Sequence, residues 1–276
     1  MVDRQNSFSR GSPAISAGPR AIRILVAEDN LVNQTVIKRM LEKMGHLPTI
    51  AANGQEALDC LRRAPFDLVL MDVQMPVLDG LATTARIREQ ERSTRDHIPI
   101  IATTAQATKH YQERCLLSGM DGFLTKPLTQ KQLEETLVRF RIWQSETHPT
   151  TVVDDALLGI VWDPAEALAR LEYDQDLFCD IVGIFIEEAP KQLTTLSQAV
   201  EDSATEVIER IAHSLKSELS YLGLPHAGRW AGELEGIARN GALGGASEVL
   251  RALQREISLV IPQMQRVRGM KAKSRS

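Results

Sequence analysis

The sequence predicts an α/β domain, a doubly wound five-stranded parallel sheet, followed by an all-α antiparallel helical bundle. From Ile22 onward five short apolar runs, IRILVA, HLPTIAA, FDLVLMD, IPIIATT and GFLT, each precede a helix-like stretch. Strands that alternate with helices form parallel sheets, because a parallel pair needs a crossover and crossovers are usually helices. Beyond Val153 no strand-like alternation persists, and residues Asp163 to Met264 read as helix. The length of 276 residues suits two domains at roughly 150 residues each.

The elements follow in order. LVNQTVIKRMLEKM carries Val36, Ile37, Met40, Leu41 and Met44 at helical spacing, and the helix-like GQEALDCLRR and GLATTARIREQ follow the second and third strands. A polar helix from about Gln106 to Leu117 and then TQKQLEETLVRF close the first domain. The segment from Ser145 to Val153 is polar and β-branched with one proline, which stops a helix and reads as a linker. Pro164 sits early in DPAEALARL, a long apolar-periodic run from Leu177 to Val200 is interrupted at Pro190, and three further helical stretches follow, with Asn240-Gly241 and Gly244-Gly245 as terminators. The expected division is a flexible leader over 1–21, a first domain over 22–143, a linker over 144–162, a bundle over 163–265 and a frayed basic tail over 266–276.

Composition narrows the function. Hydrophobic residues at 43% and charged residues at 25% exclude a wholly disordered chain and a collagen-like repeat. A net charge of −4 and a pI near 5.9 give no global attraction to nucleic acid. No run approaches the ~20 apolar residues of a membrane span. Cys60, Cys115 and Cys179 form no CxxC pair, so neither a disulfide framework nor a zinc site is suggested. The reading is a cytoplasmic protein.

Functional groups of an open parallel sheet gather at the carboxyl ends of its strands. Here those ends carry Glu28-Asp29-Asn30, Asp72, Thr103-Thr104 and Lys126-Pro127. Three converging carboxylates repel one another, and a hard divalent cation such as Mg²⁺ relieves this. A lysine and a hydroxyl facing that cation make a site for a phosphoryl group, with Asp72 as the nucleophile.

The motifs IRILVAEDNLVNQ, LVLMDVQMPVLDG, IPIIATTA and SGMDGFLTKP together resemble the response-regulator receiver domain, which has the flavodoxin-like fold. The resemblance covers roughly Ile22 to Phe140. It implies that Asp72 is the phosphoacceptor, that Glu28 and Asp29 hold Mg²⁺ with the backbone carbonyl of Gln74, that Thr104 is the switch hydroxyl, and that Lys126 faces the phosphate beside a cis Lys126-Pro127 bond. Phe123 is either the aromatic that changes rotamer with Thr104 or plain core. Gln74 and Gln106, two residues beyond Asp72 and Thr104, either overhang the path of an attacking water or lie simply at the surface.

In IERIAHSLKSELSYLG the apolar stripe is Ile208, Ile211, Leu215, Leu219 and Leu222, and at 100° per residue His213 projects about 160° from its centre. The helix alone therefore predicts that His213 faces water, with Lys216 and Arg210 near. The segment AHSLKSELSYLG resembles the signature of the histidine-containing phosphotransfer (HPt) domain, a helical bundle that carries one phosphorylatable histidine. It departs from that pattern at Ser217, Glu218 and Leu219, where Gly and small residues are usual, and Glu218 is expected to alter packing or repel an acidic receiver site. Trp162, Tyr221 and Trp230 are expected in the bundle core.

The combination reads as a two-component phosphorelay protein, like the tail of a hybrid sensor histidine kinase: a phosphoryl carrier rather than a turnover enzyme. Its expected partners are a histidine kinase or other phosphohistidine donor and a downstream receiver. A second reading is a receiver-controlled interaction module with a non-phosphorylated, degenerate bundle. A third, an aspartate-nucleophile phosphatase, needs a second aspartate two residues beyond the nucleophile, where Gln74 stands.

Overall fold

The computed structural model describes residues 21–94, 96–105, 109–140, 162–241 and 243–274. The expected leader up to residue 20, the linker before Trp162, and Gln106 lie outside them.

Five strands, β1 (Arg23–Ala27), β2 (Leu47–Ala51), β3 (Leu68–Asp72), β4 (Ile100–Thr104) and β5 (Gly122–Thr125), pair in parallel in the order β2-β1-β3-β4-β5. They alternate with α1 (Leu31–Lys43), α2 (Gly54–Arg63), α3 (Gly80–Thr94), α4 (Lys109–Leu117) and α5 (Gln130–Arg139). Side chains alternate across a strand, so each strand feeds two cores. Ile24, Val26, Leu68, Leu70 and Ile101 pack on one face, while Leu25, Val69, Met71, Ile100 and Ala102 pack on the other.

Five further helices complete the chain: α6 (Pro164–Arg170), α7 (Gln175–Glu201), α8 (Thr205–Tyr221), α9 (Pro225–Arg239) and α10 (Ala246–Ser274). Two expectations are corrected here. Helix α7 runs through Pro190 without a break, because Phe185, Ala189 and Leu196 are all buried on its inner face and that packing outweighs the lost backbone hydrogen bond. Helix α10 continues past residue 265 to Ser274, where a frayed tail was expected. Trp162 and Tyr221 are buried as expected, with Trp162 stacked on Phe178 at 6.0 Å between ring centres. Trp230 is 36% exposed and does not belong to the core.

The two halves are docked. The buried cluster on the α1 side of the sheet runs without a break into the bundle, and α1 lies along α7. Asp174, the N-cap of α7, also pairs with Lys43 at 2.7 Å and Arg39 at 3.3 Å on α1. The Tyr221 hydroxyl accepts a hydrogen bond from the Leu128 backbone N–H at 2.8 Å, just after the cis Lys126-Pro127 bond.

Candidate functional site

The carboxyl ends of β1, β3, β4 and β5 converge as the topology requires. Carboxylate oxygens of Glu28, Asp29 and Asp72 lie within 4.8 Å of one another. Asp72 is buried, and its Oδ1 accepts from the Gln74 backbone N–H at 3.2 Å. Lys126 Nζ donates to Asp72 Oδ2 at 2.6 Å and pairs with Glu28 Oε2 at 2.7 Å. Thr104 is buried at the end of β4, and its carbonyl accepts from the Lys126 N–H at 2.8 Å. The loop after β3 closes tightly over Asp72: a Cβ on Gly80 would stand 2.1 Å from the Asp72 carbonyl oxygen, so only glycine fits.

The electrostatics match a cation site. Burial, together with the neighbouring carboxylates of Asp72 and Asp29, lifts Glu28 well above the usual carboxylate range despite Lys126. Burial and Asp72 push Asp29 to about 6, against the pull of Lys126, Arg210 and His213. Burial would lower Lys126, but the carboxylates of Asp72 and Glu28 raise it instead, so it stays an ammonium. One ammonium leaves three carboxylates under-compensated. Their hard oxygens are the donor set that Mg²⁺ prefers.

Phe123 is 37% exposed, so of its two readings the core one is corrected. Gln74 Nε2 donates to Glu209 Oε1 on α8 at 3.2 Å, which turns its side chain toward the bundle.

His213 differs most from expectation. It is only 5% exposed rather than facing water: its helix neighbours Glu209 and Ser214 meet Gln74 and Asn30 of the first domain, and α9 brings Glu235 against the ring. Its Nδ1 pairs with Glu235 on α9 at 2.9 Å, and its Nε2 is buried with no hydrogen-bond partner among the described residues. Lys216 Nζ donates to Glu235 Oε2 at 3.2 Å, and Arg239 donates to Glu235 Oε1 at 2.7 Å and to Glu209 at 2.9 Å. A line of contacts thus runs from Gln74, beside Asp72, through Glu209, Arg239 and Glu235 to His213. Arg210 lies between the domains, lining a cleft of about 470 Å³ with Gln74 and Glu209 and a second of about 200 Å³ with Asp29 and Asn30.

Glu235 escaped the sequence reading. It lies inside GELEGIARN, but nothing in that segment shows that it meets His213. Burial alone would raise its pKa, yet the hydrogen bond and charge of His213 and the charge of Lys216 hold it near 2. An ionised carboxylate accepts only, so Nδ1 carries a proton toward Glu235.

This depressed value has a consequence for stability. Glu235 contributes fully above its unfolded pKa of about 4.5, and the contribution is lost as pH falls toward 2. The thermal midpoint of the wild type should therefore fall more steeply between those pH values than that of Glu235→Gln, as differential scanning calorimetry can measure. Parallel curves would exclude the role.

Comparison with known proteins agrees with this geometry. The family model described as "Response regulator receiver domain" matches residues 24–138, and the one described as "Hpt domain" matches residues 180–262. The chain carries a receiver domain followed by an Hpt domain. The sensor histidine kinase GacS of Pseudomonas protegens is 33% identical over 224 residues, which is 79% of this chain and 24% of that protein. Hybrid signal transduction histidine kinase I of Dictyostelium discoideum is 45% identical over 139 residues, 48% of this chain and 8% of that one. This chain thus spans about a quarter or less of these relatives. Among solved structures, the receiver domain of a Pseudomonas aeruginosa sensor histidine kinase, with a magnesium ion in its active-site cleft, is 43% identical with a TM-score of 0.40 and covers 44% of this chain and 97% of that one. The Hpt domain meets the receiver through α7 and α8 packed on α1 and through the contacts around Asn30, Gln74 and Leu128.

Proposed function

We propose that this chain is a phosphorelay segment in which Asp72 takes a phosphoryl group from a phosphohistidine and His213 exchanges it with a receiver aspartate. The observation that carries this is the unpartnered, buried Nε2 of His213, held by Glu235 on the surface that covers the receiver's acidic site. His213 Nε2 attacks the phosphorus of the acyl phosphate, the P–N bond forms as the P–O bond to Asp72 breaks, and the Asp72 carboxylate leaves as an anion. Glu235 holds the Nδ1 proton and offsets the positive charge that the ring acquires. Lys126 keeps the leaving carboxylate paired. Arg210 stands between the two acid-lined clefts, where its charge favours phosphoryl oxygens. Lys216 acts at one remove, through Glu235.

Glu28, Asp29, Asp72 and the Gln74 carbonyl would hold Mg²⁺, which neutralises phosphoryl oxygens when bound. The partners that fit are a phosphohistidine donor upstream and a receiver domain downstream. The setting that suits them is cytoplasmic, in keeping with three free cysteines and with the lack, among the described residues, of any helix long and apolar enough to cross a membrane.

Metal removal tests the entry step. With acetyl phosphate and Mg²⁺ the intact mass should rise by one phosphoryl group, and with excess EDTA the gain should disappear. Equal incorporation in both would overturn the assignment of the acidic cluster.

A further inference from the structure

The side chain that follows the receiver's acidic pair is clamped from both sides. Asn30 caps α1, its Oδ1 accepting from the Asn33 backbone N–H at 2.9 Å. That fixes the orientation of the amide, so Nδ2 must point outward, where it donates to Ser214 Oγ at 2.6 Å and to Glu218 Oε1. Glu218 is itself buried, and the same Oε1 accepts from Gln192 Nε2 of α7 at 2.8 Å. Its Oε2 is buried with no partner among the described residues. The expectation from sequence, that Glu218 repels an acidic receiver site, is therefore reversed for this receiver: it docks by accepting an amide proton.

The other contacts across the interface carry less information. Tyr221 binds a backbone N–H, which any non-proline residue offers. Asp174 pairs with Lys43 and Arg39, both partly exposed and away from the acidic site. Gln74 and Glu209 meet in a wider cleft. Asn30 and Glu218 form a buried side-chain pair across the domains, one residue from the acidic cluster.

Resting on the relay reading above, we propose that Glu218 selects the receivers that dock on the His213 face by reading the side chain after their acidic pair, taking a neutral amide donor and rejecting a carboxylate. Aspartate caps a helix as well as asparagine does, so a receiver with aspartate there keeps its fold. It loses both amide hydrogens, however, and sets a carboxylate against the buried Glu218. Glutamine in place of Glu218 removes the charge, and its amide can turn so that Nε2 faces position 30 while Gln192 reverses its own amide to offer the Oε1 that has no partner among the described residues. That makes it a partner for aspartate.

The test uses the full chain and needs no phosphotransfer. Docking buries His213, so the rate at which diethyl pyrocarbonate modifies it, followed by peptide mass spectrometry, reports the open fraction. Asn30→Asp should raise that rate by about tenfold or more, the factor that ~1.4 kcal/mol gives. Glu218→Gln alone should stay near the wild type, and the double variant should return toward it. An unchanged rate in Asn30→Asp would overturn the proposal, and so would a raised rate that Glu218→Gln fails to restore. Circular dichroism checks that each variant is folded. A chain that shows this pattern of protection but never carries phosphate on His213 would defeat the relay reading and leave the selection by Glu218 standing.

Discussion

Wild-type protein loaded with a small phosphodonor and Mg²⁺ is expected to accumulate alkali-stable phosphate, and both Asp72→Asn and His213→Gln are expected to lose it entirely. An acyl phosphate hydrolyses in alkali whereas a phosphoramidate survives, so alkali separates the two sites chemically. The label must enter through Asp72, whose carboxylate is held by Lys126 at 2.6 Å, before it reaches His213. Asp72→Asn keeps the shape of the side chain and removes only the nucleophile. The docked geometry favours the internal route, since His213 is buried against this chain's own receiver rather than offered to solvent. Alkali-stable phosphate that persists in Asp72→Asn would mean direct labelling of the imidazole and would defeat the internal relay. His213→Gln should retain alkali-labile phosphate, which separates loss of the second site from failure of the first.

A second large effect is expected in the core of the bundle. Phe185 on α7 is fully buried, and Phe185→Ala should cost about 3–5 kcal/mol, the transfer of a ring plus the cavity it leaves. At roughly 4–8 °C per kcal/mol for a domain of this size, the bundle's unfolding midpoint should drop by tens of degrees. The loss should be selective. The sheet's second core, built from Leu25, Val69, Met71, Ile100 and Ala102 with α2 and α3, contains no bundle residue. Aspartyl phosphate should therefore still form when the bundle has melted, while alkali-stable phosphate should not. A wild-type midpoint in Phe185→Ala, or loss of both phosphates together, would contradict this account of the two cores.

Much of the first domain's chemistry was legible in order along the chain. Short apolar runs alternating with helical stretches from Ile22 to Phe140 specify a parallel sheet, and a parallel sheet brings its carboxyl strand ends to one edge. Glu28, Asp29, Asp72, Thr104 and Lys126 therefore meet because of topology, and their residue types suit the proposed hard-cation and phosphoryl site. The bundle's apolar stripe was equally readable, since Ile208, Ile211, Leu215 and Leu219 recur at the helical period and are buried.

What covers the remaining faces was not readable. Helical geometry placed His213 opposite its own helix's apolar stripe, correctly, and from that followed exposure, wrongly. The spacing of one helix says where a side chain points but not what stands in front of it. Glu235 comes from α9, 22 positions away, and Asn30 meets Glu218 across 188 positions and two domains. Such pairings arise only when α1 settles along α7, a packing set by apolar surface on both helices that carries no local signature. The same holds for Pro190 and for the end of α10, where local rules predicted interruption. Local pattern determined the elements and the strand-edge chemistry by itself. Only tertiary burial decided the partner of His213, the partner of Glu218 and the covered face between the domains, because each depends on which surfaces exclude water together.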